Sequence, residues 1–223
     1  ELMTSATITD RLVALSRALI GRIRGGLAQV NVLVSMFFAG MNGSVVADTA
    51  TVGALVLPAM KKAGYPAAFS AAVTGVSSTI GGIIPPSIMM IVLANSTEIS
   101  IAALFAAGII PGVLIGVVIM IINHYFAIKY NFERSDEPFS VRRAGKELYR
   151  SSFALLIPLV LVGSVMGGVA SVVEAGAITA MVALLTGVFV YRTIKWKDCT
   201  GAFRRAFRNS AMVFIIIAAS GPF

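Results

Sequence analysis

The chain has 223 residues, of which 57% are hydrophobic and 13% are charged, whereas an ordinary soluble domain is about a quarter charged. This composition excludes an ordinary soluble protein and predicts an all-α membrane protein. The formal net charge is +8, but the Lys and Arg residues are confined to short stretches between long apolar runs, which is typical of cytoplasmic loops and argues against nucleic-acid binding.

The first predicted element, residues 1–26, has apolar residues at a helical spacing. The basic residues among them are Arg11, Arg17, Arg22 and Arg24. This pattern predicts an amphipathic helix that lies in the membrane interface. A solvated linker helix explains the same pattern equally well, and the sequence leaves the two interpretations open.

Residues 27–57 form the first long apolar run, and a break divides it. Its centre, GMNGS at residues 40–44, combines glycines with small polar residues that favour helix poorly. The halves, 27–41 and 45–57, are about 22 and about 20 Å long at 1.5 Å per residue, and neither can cross a hydrocarbon core of about 30 Å. Basic residues at both ends predict that both ends lie on the cytoplasmic side. We therefore predict a re-entrant hairpin with its tip at residues 42–44.

Residues 66–94 form a second apolar run with a break of a different kind. Pro85 and Pro86 lack the amide hydrogens that would bond the carbonyls of Gly81 and Gly82, so those oxygens are predicted to be freed. Nearby hydroxyls belong to Ser77, Ser78 and Thr79. Carbonyl and hydroxyl oxygens together predict a site suited to sodium. The alternative is a proline-kinked helix whose Ser and Thr residues bond its own backbone.

Residues 95–152 predict an inward-running transmembrane helix followed by a cytoplasmic loop, and residues 153–190 predict two crossings. Three glycines on one face of the first of these helices predict close packing against another helix: Gly108, Gly112 and Gly116. Residues 191–223 predict a cytoplasmic loop and the start of another helix. We therefore expect the chain to be an internal piece of a longer membrane protein.

Two carboxylates lie within the predicted membrane region. Asp48 is either a functional group or a favourable residue in the first turn of a helix, and the sequence does not decide between them. For Glu174 a helix-start role is favoured over coupling. At the hairpin tip, Asn42 and Ser44 offer an amide and a hydroxyl beside the unsatisfied amides of the second half-helix, which favours an anionic substrate.

Four ordered motifs resemble the large membrane subunit of tripartite ATP-independent periplasmic (TRAP) transporters. They are FAGMNGSVVAD at 38–48, PAMKKAGY at 58–65, IIPPS at 83–87 and LFAAGIIPG at 104–112. The resemblance covers essentially the whole chain and implies an elevator-type sodium symporter in the bacterial inner membrane. It also implies inverted repeats, of which this chain carries one, and a transport domain that begins with residues 27–94.

The resemblance further implies a carboxylate substrate, such as a C4-dicarboxylate or sialic acid, delivered by a periplasmic substrate-binding protein. A small membrane subunit completes the implied complex in the lipid bilayer. The first sodium site is implied between the hairpin tip and the broken helix, with the ligands Gly43, Ser44, Ser77, Ser78, Gly81 and Gly82. The implied substrate-binding residues are Asn42, Ser44 and Ser87. The family commonly has Ser at position 42 and Pro at position 82, which puts these two contacts in question.

Three other functions compete with this interpretation. The nearest is a related sodium/dicarboxylate symporter that works without a binding protein. An intramembrane serine hydrolase using Ser44 would need a base within reach, and the single histidine, His124, is expected near the opposite end of the hydrophobic depth. The chain is therefore not predicted to be an enzyme. A non-transporting membrane scaffold would leave the breaks, which are costly in lipid, without a purpose.

Overall fold

The computed structural model describes residues 8–20, 23–132, 140–190 and 196–220, and this part of the chain is predominantly helical. In chain order the helices are α1 (Ile8–Ile20), α2 (Gly26–Asn42), α3 (Val45–Lys62), α4 (Ala67–Ser78), α5 (Ile88–Thr97), α6 (Ile101–Lys129), α7 (Val141–Met166), α8 (Val172–Leu185) and α9 (Trp196–Ser220). A 3₁₀-helical turn (Thr79–Gly82) follows α4, and a π-helical turn (Thr186–Val190) follows α8. The predicted all-α class is confirmed.

Three helices in the described part of the chain are long and apolar enough to cross a membrane. They are α6, α7, and α8 together with most of its π-helical turn, Val172–Phe189. These helices indicate a multi-pass membrane protein. The two spans predicted within residues 153–190 correspond to α7 and α8.

Helices α2 and α3 form an antiparallel hairpin. The chain reverses at Gly43, which has a left-handed backbone (φ 59°), and at Ser44, which is extended and accepts a bond from the amide of Ala47. Near the open end, the amide nitrogen of Asn31 lies 3.7 Å from the sulfur of Met60, so the start of α2 lies beside the end of α3. At 1.5 Å per residue the two helices are about 25 and about 27 Å long. The predicted break at the centre of this run is therefore present.

The second predicted break is present as well. Helix α4 ends at Ser78, tightens into the 3₁₀ turn, and gives way to irregular backbone before α5 begins at Ile88. Ser87 caps α5 by accepting a hydrogen bond from the amide of Met90. Helix α5 then continues to Thr97, beyond the predicted end of the run at residue 94.

The glycine face of α6 packs against the second break and against helix α2, and its spacing predicts close packing of this kind. A Cβ atom added at Gly108 or Gly112 would overlap atoms of the irregular segment at residues 83–84. A Cβ atom added at Gly116 would lie 2.5 Å from the sulfur of Met36 in α2. At these glycines the backbone of α6 therefore comes into close contact with the broken helix and with the hairpin.

Helix α1 packs against α2 and α7. Leu12 and Leu15 are buried, and the hydroxyl of Ser151 in α7 donates a hydrogen bond to the carbonyl of Arg11. Protein contacts therefore cover part of the apolar side of α1, and the choice between an interfacial helix and a linker helix stays open. Its placement in the membrane interface stays a prediction, and Arg22 lies outside the described residues.

The later helices begin differently from the prediction. Helix α7 starts at Val141, so residues 141–152, predicted as part of a loop, form its first turns. Helix α9 likewise extends from Trp196 across the predicted cytoplasmic loop. Good helix formers account for the α7 start, where Glu147 and Arg150 pair at 3.3 Å.

At the start of α8, Glu174 completes a capping box, which confirms its predicted helix-start role.

Candidate functional site

The hairpin tip touches the break in the second helix directly. The amide of Ile88 donates a hydrogen bond of 3.2 Å to the carbonyl of Gly43. A Cβ atom at Gly43 would overlap the carbonyl of Pro86, and one at Gly82 would lie 3.3 Å from Val45. Gly43 is thus required both for its left-handed backbone and for this close approach. The two discontinuities that the sequence predicts therefore form one contact.

A buried carboxylate lies beside this contact. An added Cβ atom at Gly81 would be 3.8 Å from the Cβ atom of Asp48 and 3.7 Å from the carbonyl carbon of Ser44. The side chain of Asp48 is 0% exposed, and neither of its oxygens forms a hydrogen bond of normal geometry among the described residues. The hydroxyl groups of Ser78 and Ser35 are close enough to interact with it as donors. An unpartnered carboxylate at such depth is costly, and it marks this position as a candidate site.

The hydroxyls around this carboxylate also contact other groups. Ser78 donates to the carbonyl of Thr74 at 2.8 Å. Ser77 has two acceptors, the carbonyl of Thr74 at 3.1 Å and the side-chain oxygen of Asn31 at 3.3 Å. The hydroxyls of Ser35 and Ser77 lie 3.2 Å apart, and either can be the donor. The carboxylate therefore lies beside a buried network in which the serine protons have more than one possible acceptor.

The predicted ligands and substrate contacts do not all lie at this carboxylate. Ser44 and Gly81 adjoin it, and Ser78 faces it, whereas Ser77 bonds toward α2. The predicted freeing of the Gly82 carbonyl is only partly realised, because Ser87 donates a hydrogen bond to it at 2.8 Å. A carbonyl has two lone pairs, so one remains available.

Three residues are predicted to bind the substrate. The side chain of Asn42 lies outside the described part of the structure. The hydroxyl of Ser87 is wholly buried and engaged both with Gly82 and with the capped amide of Met90. Ser44 is half-buried, and its hydroxyl accepts a 3.4 Å hydrogen bond from the amide of Ala47. The substrate-binding roles of these residues stay predictions.

Sequence reasoning missed three members of the buried polar network, namely Asn31, Ser35 and Thr74. A signal for them exists, because polar residues recur every four positions in both helices: Asn31 and Ser35 in α2, and Ser70, Thr74 and Ser78 in α4. Residues four apart share one face of a helix, so this recurrence indicates two polar stripes in apolar helices.

The chemistry of the site follows from its donor set. It combines one carboxylate with hydroxyl and carbonyl oxygens, and no cluster of three or more His, Cys, Asp or Glu residues occurs in the described ranges. Oxygen ligands of this kind suit a hard cation rather than a transition metal. The buried oxygens of Asp48, which form no hydrogen bond of normal geometry among the described residues, are of the kind that a small hard cation would need.

Comparisons with known proteins identify relatives along the whole chain. Residues 1–223 match the family model described as tripartite ATP-independent periplasmic transporter, DctM component. The C4-dicarboxylate TRAP transporter large permease protein of Pseudomonas aeruginosa is 33% identical over 97% of this chain and 50% of its own length. The sialic acid TRAP transporter large permease protein of Vibrio cholerae is 32% identical over 97% of this chain and 51% of its own length.

A third relative is named for another substrate. The 2,3-diketo-L-gulonate TRAP transporter large permease protein of Escherichia coli is 32% identical over 99% of this chain and 52% of its own length. The chain therefore spans about half the length of these relatives. The resemblance indicated by the four sequence motifs is confirmed.

Proposed function

Because the chain belongs to the DctM family of tripartite ATP-independent periplasmic transporters, we propose that it forms part of a large permease subunit that takes up an organic acid together with sodium. Family membership supports uptake of organic acids and a role in transport rather than catalysis. The proposal of sodium coupling rests on one observation, the buried Asp48 carboxylate, whose oxygens form no hydrogen bond of normal geometry among the described residues.

The free-energy cost of burying the Asp48 carboxylate supports a sodium site. Removing a carboxylate from water costs several kcal/mol unless an opposite charge or hydrogen bonds compensate. The hydroxyls of Ser78 and Ser35 relieve only part of this cost, because Ser78 also bonds the carbonyl of Thr74 and Ser35 also contacts Ser77. A monovalent cation among Asp48, Ser78 and the tip residue Ser44 would compensate the charge and gain oxygen ligands.

The contact between tip and break supplies the proposed route of coupling. The bond from Ile88 to the carbonyl of Gly43 joins the hairpin to the second helix beside Asp48. A cation bound there would hold both segments in one arrangement, and substrate would then bind to segments already ordered. We propose that the tip residues Asn42 and Ser44, with Ser87, contribute one half of the substrate site.

We further propose that α2 and α3 form a re-entrant hairpin within an elevator-type transport domain. Each helix is shorter than a typical hydrocarbon core of about 30 Å. The basic pair Lys61 and Lys62 ends α3, and Arg24 precedes α2, so charge favours both open ends on the cytoplasmic side of the inner membrane.

The relatives suggest the substrate class and the partners. Their names specify C4-dicarboxylate, sialic acid and 2,3-diketo-L-gulonate, and all three compounds carry a carboxylate. We propose a carboxylate substrate here too, with a periplasmic binding protein and a small membrane subunit as partners. The N-terminus of α3 at the tip, with its partial positive charge, suits such an anion.

Uptake by reconstituted vesicles tests this proposal. The full-length permease and its partner subunits would be assayed with radiolabelled succinate and N-acetylneuraminate, under an inward gradient of sodium or of choline. We expect uptake only with sodium, and loss of sodium-driven uptake in Asp48→Asn. Asp10→Asn, which changes an exposed carboxylate in α1, is the matched control and should transport normally. Equal uptake in choline would refute sodium coupling.

A further inference from the structure

Two amide side chains are buried where α2 packs against α6. Gln29 in α2 and Asn123 in α6 are each 3% exposed. The side-chain oxygen of Gln29 and the side-chain nitrogen of Asn123 have no hydrogen-bond partner among the described residues. One of these atoms lacks a donor and the other lacks an acceptor. A buried polar atom without a partner destabilises the fold, so both atoms call for an explanation.

The contacts between α2 and α6 define how the two helices are aligned. A Cβ atom added at Gly25, just before α2, would lie 2.5 Å from the Cβ atom of Ala127. A Cβ atom added at Gly116 would lie 2.5 Å from the sulfur of Met36. The helices are therefore antiparallel here, and the same number of residues separates the two contacts in each of them. Each step forward along α2 is matched by an equal step back along α6.

This alignment places Gln29 opposite Asn123, since Gln29 lies four residues after Gly25 and Asn123 lies four residues before Ala127. A hydrogen bond supports the placement, because the amide nitrogen of Gln29 donates to the carbonyl of Met120 at 2.8 Å. A carbonyl in an α-helix points toward the residue four positions later, so the Gln29 amide lies beside the turn that contains Asn123. The Met120 carbonyl only accepts, and this fixes which way the Gln29 amide is turned.

The two unpartnered atoms together determine what fits between them. A cation needs acceptors and an anion needs donors, whereas this pair offers one acceptor on Gln29 and one donor on Asn123. Water has both functions, because it can donate to the Gln29 oxygen and accept from the Asn123 nitrogen at the same time. Internal waters are typically held in this way, by buried polar groups that otherwise lack partners.

We propose that Gln29 and Asn123 form a binding site for one internal water, which bridges the Gln29 Oε1 atom and the Asn123 Nδ2 atom. The water fastens the first helix of the hairpin to α6, in addition to the close contacts at Gly25 and Gly116. The inference goes beyond the proposed function, since neither sodium nor substrate takes part in this bridge.

A density map that resolves ordered waters tests the site directly. The full-length permease would be imaged in lipid nanodiscs by cryo-electron microscopy. We expect a water peak about 2.7–3.2 Å from both atoms. The peak should be lost in Asn123→Leu and kept in the control Asn95→Leu, which changes an exposed asparagine in α5. A wild-type map without the peak, with a direct bond between the two amides, or with another side chain in that place would overturn the proposal.

Thermal unfolding gives a second, independent test. Gln29→Leu and Asn123→Leu should each lower the midpoint of unfolding, because each leaves the opposite amide and the water with one partner fewer. The double variant should lose less than the sum of the two shifts, since it leaves neither amide unpaired. Asn95→Leu should leave the midpoint unchanged. If Gln29→Leu does not fold, Gln29→Met takes its place. Strictly additive shifts would refute the bridge.

Discussion

The glycine face of α6 makes a strong prediction about how the broken helix is held. In Gly112→Ala the new Cβ atom would overlap the Cγ1 atom of Ile84 and lie 3.4 Å from the Ile84 backbone nitrogen. Overpacking of this kind costs about 1–3 kcal/mol. A Gly→Ala change inside a helix otherwise stabilises by up to about 1 kcal/mol. We therefore expect Gly112→Ala to lower both the thermal midpoint of unfolding and sodium-driven uptake.

A matched control and a double variant isolate the contact. Gly163 lies inside α7, and an added Cβ atom there would meet no heavy atom within 4 Å, so Gly163→Ala should be neutral or stabilising. Ile84→Ala removes the overlapping atom, and Gly112→Ala added to that background should cost nothing further. If Gly112→Ala proved as harmless as Gly163→Ala, or equally damaging in both backgrounds, the packing argument would be refuted.

Two further predictions concern the tip and the carboxylate. Gly43→Ala should abolish uptake and should destabilise the protein more than Gly64→Ala does. Both glycines have a left-handed backbone (φ 59° and 79°), but of the two only Gly43 faces a carbonyl, that of Pro86. Equal thermal midpoints for the two variants would contradict this prediction. Asp48→Asn removes the buried charge, so it should raise the thermal midpoint measured without sodium. It should also remove the stabilisation by added sodium. A sodium-induced shift of the midpoint that persists in Asp48→Asn would place the ion elsewhere.

Local chemistry explains which parts of the fold are readable from the sequence. The left-handed turn at Gly43 and the loss of amide hydrogens at Pro85 and Pro86 are properties of single residues, so both breaks are predictable. The start of α7 is not, because the basic residues of positions 141–152 suit a loop by charge and a helix by propensity. Helix propensity and the pair between Glu147 and Arg150 favour the helix, and an interpretation by charge alone overlooks them.

The candidate site shows the same division. The sequence places Ser44, Gly81 and Ser78 near one another because it predicts two facing breaks, and the structure brings them to Asp48. The sequence does not place Asn31 at the site, because the role of an asparagine in an apolar helix depends on the hydroxyls that it contacts on another helix.

Asp48 also bears on the choice between a transporter and a passive scaffold. A scaffold gains nothing from a buried carboxylate without a partner, and an asparagine of nearly the same shape would remove the cost of burying a charge. A site that binds and releases a cation needs the opposite property, since its ligands must be left unsatisfied when the ion departs. If neighbouring donors bonded every carboxylate oxygen, a cation would bind more weakly, because those hydrogen bonds would have to be broken first. We therefore propose reversible cation binding as the reason for a buried Asp48 whose oxygens form no hydrogen bond of normal geometry among the described residues.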